Sequence, residues 1–337
     1  MAKQKKKFGK GKIIAIVGGV FICLSAIFLI ILNIYIPLKY LSAYIVASDK
    51  NCAGQMRVSF VDVGYGDCTI IEFPDGKTAL IDGGDGTYPN NLKVLRALNE
   101  RGINNIDYLV CTSACPEKCG GLAEIVKLKS VSVIFTPYFP IRYYNTEYYS
   151  FRRFLYDNNI EPEFCEYGNG IFNDEYGYNF CFLSPSNHMI DSGEGSVFNK
   201  NHTKENADNA SAVTWLEYGG IGFLLMGNGG EKVQRKIINS AKVGFEINGR
   251  TLNIAGCSVL KVPDHGSAAA SYGELYDFFK PKAAIISVGE NGYKSPSVQA
   301  LSGAYQASGG NLYRTDEDGT VTFTVSSGDF KIEKEKK

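Results

Sequence analysis

One stretch constrains this chain more than any other: Leu109-Val110-Cys111-Thr112-Ser113-Ala114-Cys115-Pro116-Glu117-Lys118-Cys119-Gly120-Gly121. Apolar residues from Ile106 to Val110 lead into it, paired glycines close it, and Leu122 to Leu128 follows with helical spacing. That order spells a buried strand, a loop and a helix. In an α/β domain such loops carry the chemistry, because the flanking elements hold them in place. Cys111, Cys115 and Cys119 are four residues apart, which is not the C-x-x-C spacing of zinc knuckles. Disulfides or buried thiols therefore fit these positions better than a metal cluster does.

The formal net charge is zero, with 35 basic and 35 acidic residues, but the charge is unevenly placed. Lys3, Lys5, Lys6, Lys7, Lys10 and Lys12 precede an uncharged apolar run over 13–36. As a helix that run reaches about 36 Å, enough for a hydrocarbon core of about 30 Å. A cleaved signal peptide has a shorter apolar region and a small-residue cleavage site, and 38–47 offers only a poor one. A buried core helix this long would carry a polar face. The expectation is a transmembrane signal-anchor at 13–36, with the basic residues 1–12 in the cytoplasm and the rest of the chain outside it. Residues 37–55 read as a linker, 56–327 as one globular domain, and 328–337 as a charged, mobile tail.

Within the domain, residues 57–63 alternate as a strand and residues 64–67 turn. Residues 68–73 and 78–81 form a hairpin around Pro74-Asp75-Gly76-Lys77, running into Asp82-Gly83-Gly84. Residues 92–100 have helical spacing, and 130–135 is a short strand. Tyr138, Tyr143, Tyr144, Tyr148 and Tyr149 with Arg142, Arg152 and Arg153 admit two readings: a base-stacking platform, or an amphipathic helix packing its rings on the core. The second is the commoner use of aromatic residues. A hairpin follows at 172–183, and 193–209 reads as a polar loop over the site.

Several motifs share a resemblance. Residues 112–121 fit the frame T-H-x-H-x-D-H-x-G-G at Thr112, Gly120 and Gly121, as in the zinc-binding loop of the metallo-β-lactamase superfamily. Phe60-Val61-Asp62-Val63-Gly64-Tyr65-Gly66-Asp67 resembles F-x-D-V-G-Q-G-D, and Ile81-Asp82-Gly83-Gly84 resembles its partner I-D-G-G. Residues 209–219, 223–228, 260–267, 281–289, 293–297 and 312–319 resemble later strands and turns of the branch that includes the carboxy-terminal domain of the DNA-uptake competence protein ComEC. The resemblance covers about 56–324 in order. It implies an α/β fold, a four-layer αββα sandwich with the site along one edge.

The same resemblance marks departures. Ser113, Cys115 and Lys118 stand where the family has histidines, Glu117 where it has aspartate, and Asn228 where an aspartate bridges two metals. Asp264 replaces the first histidine of L-K-V-x-H-H-G-S, and Ser295 replaces a histidine of Y-G-H-P-S. Of the three histidines, only His265 falls on a site motif; His188 and His202 lie in loops. Serine and asparagine are poor substitutes for imidazole or carboxylate, and a protonated lysine offers no lone pair. The degenerate site therefore comprises Asp62, Asp67, Asp82, Ser113, Cys115, Glu117, Lys118, Asn228, Asp264, His265 and Ser295. Lys118 is expected to occupy part of the former metal volume, paired with Glu117, Asp264 or Asp82; the ordinary alternative is a lysine pointing to solvent.

Three functions compete on this reading. The favoured one is a non-catalytic, membrane-anchored binding or assembly module with a protein partner and no cofactor. The second is a hydrolase or nuclease with one zinc or manganese ion on Cys115, Glu117, Asp264 and His265. The third is metal-free nucleophilic catalysis by Cys115, activated by His265 or Lys118. DNA is a candidate ligand by resemblance alone, since no run of lysines or arginines in the domain supplies a phosphate-tracking stripe.

Overall fold

A computed structural model of the chain describes residues 10–35, 37–48, 54–137, 146–186, 204–292 and 294–336. Cys52, Tyr138, Arg142, Tyr143, Tyr144, His188, His202 and the part of the polar loop up to 203 lie outside the described residues.

Alternating and continuous apolar runs become two sheets. The first contains β1 (Met56–Phe60), β2 (Thr69–Glu72), β3 (Thr78–Ile81), β4 (Asn105–Val110), β5 (Ser130–Thr136), β6 (Glu163–Phe164), β16 (Val321–Ser326) and β17 (Asp329–Lys334), in the order β17-β16-β1-β2-β3-β4-β5-β6. The second contains β7 (Gly170–Asn173), β8 (Tyr178–Ser184), β9 (Val213–Tyr218), β10 (Ile221–Leu225), β13 (Cys257–Lys261), β14 (Ala283–Ile286) and β15 (Leu312–Arg314), in the order β15-β14-β13-β10-β9-β8-β7. A small hairpin, β11 (Phe245–Ile247) with β12 (Arg250–Leu252), stands apart. Both large sheets are mixed: β3-β4-β5-β6 and β10-β13-β14-β15 run parallel, and the rest antiparallel.

The sheets pack face to face through aromatic residues. Phe323 of the first sheet meets Phe60 of the same sheet and Phe223 of the second edge-on, each at 5.8 Å between centroids, the arrangement ring quadrupoles favour. Helices Tyr88–Glu100, Leu122–Leu128 and Thr146–Asp157 cover the outer face of the first sheet. Glu231–Val243, Gly273–Phe279 and Val298–Ala307 cover the second. The expected four-layer αββα sandwich is what the chain forms. In Thr146–Asp157, Tyr148, Phe151 and Leu155 are buried on one face while Tyr149 and Tyr156 are exposed. Arg152 donates to Thr136 Oγ1 at 2.9 Å and Arg153 pairs with Asp157. The described part of the tyrosine-rich stretch is thus an amphipathic helix on the core.

Two expectations about the periphery need correction. The charged segment 328–337 is not a free tail, because Asp329–Lys334 pairs along β16 as an edge strand. Its alternation explains this: Phe330 and Ile332 turn onto the core, while Lys331 and Glu333 face out and discourage further strand pairing. The linker 37–55 is not a loose connector either. Residues Leu38–Tyr44 dock on the domain, with Tyr40 and Ala43 buried against Leu95.

The apolar run is helical. Lys10–Tyr35 is one 26-residue helix with Phe21 and Ile22 about 70% exposed, yet among the described residues no single helix is long and apolar enough to cross a membrane. Val17–Asn33 and Leu38–Tyr44 meet that measure only together, as a bent pair. The break falls before Pro37, whose ring cannot continue the preceding turn. Of the two expectations for the cysteines, disulfides or buried thiols, the described residues take the second: Cys23 is exposed, and Cys68, Cys111, Cys119, Cys165, Cys181 and Cys257 are buried thiols.

Candidate functional site

The ends of β3, β4, β10, β13 and β14 converge on one edge of the sandwich. Asp82 follows β3 in a left-handed conformation (φ 60°), and its carboxylate accepts from Thr112 N at 2.7 Å and Thr112 Oγ1 at 2.6 Å. Ala212 N donates to Thr112 O at 2.7 Å, a backbone bond between the two sheets, and Asp264 N donates to Gly227 O at 2.9 Å within the second. The paired glycines permit a close approach of two loops. A Cβ on Gly120 would lie 2.3 Å from Asp85 O, and one on Gly86 would lie 2.4 Å from Gly120 O. Asp264 (φ 43°), His265 (φ 55°) and Gly266 (φ 73°) are successively left-handed. Non-glycine residues adopt that backbone at some cost, and only where their surroundings hold them there.

At the centre lies a buried charge cluster. Lys118, 0% exposed, pairs with Asp67 Oδ2, and Lys261 Nζ lies 2.7 Å from Asp67 Oδ1. His265 Nδ1 is 3.9 Å from the same oxygen and 2.8 Å from Ser287 O. A carbonyl can only accept, so Nδ1 carries the proton and Nε2 the lone pair. Tyr65, at the position of the family glutamine, lies on the His265 ring with centroids 4.6 Å apart. Asn228 Nδ2 donates toward Cys115 Sγ at 3.3 Å, Asp208 Oδ1 at 3.3 Å and Glu117 Oε1 at 3.4 Å. An amide donor thus sits where a carboxylate would face two others.

Above the cluster opens a cleft of about 1000 Å³. Its described lining includes the carboxylates Asp85, Glu117, Glu205, Asp208, Glu231 and Asp264 against only Lys232 and Arg235. The polar loop contributes its end, Lys204–Asn209, as a short helix rather than a loop.

Burial shifts the charges at this edge. It raises the Asp82 carboxyl from 3.8 to about 7, against the opposing Thr112 hydrogen bonds and Lys261. It lowers the Lys261 ammonium from 10.5 to about 8, against Asp82 and Asp264. At the opposite edge, just before β5, burial lowers Lys129 to about 8 as well. Between pH 8 and 10.5 the unfolded chain holds more protons at both lysines than the native one, so stability gained there is fully present above 10.5 and lost as pH falls through 8. Asp82 acts the other way: the native state holds the extra proton, so stability falls as pH rises from about 4 to 7. The unfolding midpoint is expected to be lowest between pH 7 and 8. Scans from pH 4 to 10 check this, with Asp82→Asn flattening the acid limb and Lys129→Gln the alkaline one.

The site residues read from sequence mostly assemble. Asp67, Asp82, Ser113, Cys115, Glu117, Lys118, Asn228, Asp264, His265 and Ser295 border the cluster or the cleft. Asp62 does not: it caps the turn at Gly64 N and faces Lys93 at 3.6 Å and Lys336 at 3.4 Å, in a separate depression. Lys118 is buried and ion-paired as expected, but its partner is Asp67 rather than Glu117, Asp264 or Asp82. The reason is reach: Glu117 N-terminally neighbours it on the short helix Pro116–Cys119 and points to the cleft, whereas the lysine stem runs inward. Sequence reading missed Lys261 and Asp208. A lysine ending the otherwise buried strand Cys257–Lys261 was the available signal for the first.

No family model matches the chain. Over 294 residues it is 25% identical to ComE operon protein 3 of Bacillus subtilis (strain 168), covering 82% of this chain and 34% of that protein. In sequence the chain is thus similar to a ComE operon protein, and it is ComEC-like in that sense. This ComEC-like chain spans about a third of the relative's length. Among solved structures it is similar to the metallo-β-lactamase fold protein YhfI from Bacillus subtilis (TM-score 0.46, 9% identity, 80% of this chain and 100% of that one). A diphosphatase from the PhnP family gives a TM-score of 0.41 at 13% identity, over 80% of this chain and 99% of that one. With TM-scores below 0.5 these likenesses carry no weight of their own; strand order and motif placement define the architecture.

The two-metal centre of the superfamily does not fit the residues of this ComEC-like site. Ser113 and Asn228 present a hydroxyl and an amide, and the Lys118 ammonium adds a positive charge that repels a cation. Among the described residues, Glu117, Asp264 and His265 bring one ligand atom each within 4.8 Å of one another.

Proposed function

We propose that this protein is a membrane-anchored, extracytoplasmic ComEC-like protein that works as a non-catalytic binding or assembly module for a protein partner. What carries the reading is the fully buried Lys118 ammonium on Asp67, with Lys261 on the other carboxylate oxygen. Lys118 stands where the resemblance calls for a metal ligand, and a protonated lysine has no lone pair to offer one. The cleft above is predominantly acidic along its described lining, which opposes a phosphate backbone. A protein surface is thus a better occupant than DNA. The anchor is supported by the apolar helix Lys10–Tyr35 and the basic residues before it.

The test is metal content and activity of the full chain purified in detergent without chelator. We expect no zinc or manganese near one per chain, and no phosphodiesterase activity that added metal elicits. Tightly held, near-stoichiometric metal with chelator-sensitive activity would overturn the reading.

A second reading has one observation in its favour. Glu117, Asp264 and His265 come together with His265 Nδ1 held by a backbone carbonyl, the kind of support a metal-bound imidazole has. Here a single zinc or manganese ion would serve a hydrolase. Cys115, the fourth residue of that set, instead lies beside the Asn228 amide, the Ser113 hydroxyl and, at 3.8 Å, the Asp208 carboxylate. A carboxylate at that range also opposes the thiolate that nucleophilic catalysis needs.

A further inference from the structure

The junction between the amino-terminal helix and the sandwich is built into the domain. Leu38 N donates to Asn33 Oδ1 at 2.8 Å, tying the helix end to the segment that follows. Tyr40, 1% exposed, stacks on Tyr88 at 5.6 Å between centroids, and Tyr88 Oη donates to Lys39 O at 2.6 Å. Asn99 Nδ2 donates to Ala43 O at 2.8 Å, and Lys39 pairs with Glu124 at 2.9 Å. These contacts span the helices Tyr88–Glu100 and Leu122–Leu128, both in the layer over the first sheet. The segment Leu38–Tyr44, at the foot of the apolar helix, is thus held to the domain at several points.

Around this junction the surface has the composition of a membrane interface. Leu38 is 44% exposed, Ile45 74% and Tyr88 48%, and the Lys39 and Lys127 side chains are 56% and 51% exposed beside them. Amphipathic aromatic residues, isolated aliphatics and lysines with long stems are what headgroup regions accommodate. The same layer leads to the cleft. Asn91 Nδ2 lies 3.5 Å from Tyr40 Oη and donates to Gly86 O at 3.0 Å, next to the cleft-lining Asp85.

We propose that the helical layer over the first sheet lies against lipid headgroups, with Leu38, Ile45 and Tyr88 in the interface, so that the cleft opens beside the bilayer. The occupant of this face is a lipid surface, because the apolar helix with its exposed Phe21 and Ile22 is tied to it through Asn33 and Leu38. The cleft's partner is then presented at membrane level. This rests on the anchor reading above.

The test places tryptophans in the full chain reconstituted in phosphatidylcholine–phosphatidylglycerol vesicles whose acyl chains are dibrominated near the headgroup. The native Trp215 is 1% exposed and gives a constant background. Val243, 87% exposed at the end of Glu231–Val243, provides the control on the opposite helical layer. Sheets about 10 Å apart with a helix layer about 10 Å beyond each place it about 30 Å away. Leu38→Trp and Ile45→Trp are expected to lose most of their added emission in brominated vesicles, and Val243→Trp to keep it. Retention of the chain through alkaline extraction with no quenching at positions 38 and 45 overturns the apposition and leaves the anchor standing. Equal quenching at 243 also overturns it. Release of the wild-type chain by alkaline extraction removes the anchor and the apposition together.

Discussion

Lys118→Met is expected to destabilise the domain by about 3 kcal/mol, measured by urea unfolding of the full chain in detergent. Removing one partner of a buried ion pair costs about 3–5 kcal/mol, because the other charge is left without compensation. The lower end applies here because Lys261 remains 2.7 Å from Asp67. Methionine keeps most of the buried stem's volume, so a packing defect is a minor contribution. Lys127→Met, at an exposed position, should change stability by less than about 0.5 kcal/mol. A cycle with Asp67→Asn should show a coupling above about 1 kcal/mol, as expected for residues in direct contact. If Lys118→Met behaves like Lys127→Met, the cluster does not hold this edge together, and the main support of the non-catalytic reading is gone.

Restoring the family ligands should reverse the chemistry. The combined variant Ser113→His, Cys115→His, Lys118→His, Asn228→Asp and Ser295→His is expected to bind zinc more than about 100-fold more tightly than the wild type. Loss of an outer-shell partner alone weakens a metal site by about 10–100-fold, and these changes restore direct ligands. Asn228→Asp turns a donor that faces Glu117 and Asp208 into a third carboxylate within about the same 3.3–3.4 Å, which is unfavourable without a cation. The metal-free variant should therefore unfold at a lower temperature than the wild type, and zinc should raise its midpoint because the ion binds only the folded form. Competition with a chromogenic chelator measures the affinity, and thermal unfolding with and without zinc measures the linkage. A variant that stays folded and ignores zinc would mean that the loop positions no longer converge on one point.

Much of this was legible in the residues. The loop at 109–121, the turns at Gly64 and Gly83, and the left-handed Asp264-His265-Gly266 corner lie on motifs whose glycines and polar residues answer to backbone geometry. The loss of ligands was legible for the same reason: a lysine or asparagine at a fixed position changes the available lone pairs whatever surrounds it. Side-chain direction was not. Spacing put Lys118 beside Glu117, but whether its ammonium turned toward the cleft or the core depends on Asp67, which comes from a turn some fifty residues earlier. Asp62 failed for a related reason, since Lys93 and Lys336 draw it to the other side. The docked linker was hidden because Tyr40 and Ala43 find their apolar partner only in a helix far along the chain. In 329–334 the count of charges outweighed an alternation that was there to be read.

The placing of β1 carries a kinetic consequence. Its one neighbour, β2, follows at once, but the other, β16, is among the last strands made: Ser59 Oγ and Thr322 Oγ1, 263 residues apart, lie 3.0 Å from each other. Until that late strand arrives, one side of β1 has unsatisfied amides and carbonyls, and contacts this distant close slowly. Completion of the first sheet must therefore wait for nearly the whole chain. A nascent chain would spend its synthesis with an open, sticky border, favouring helpers that hold it apart until the final hairpin is delivered.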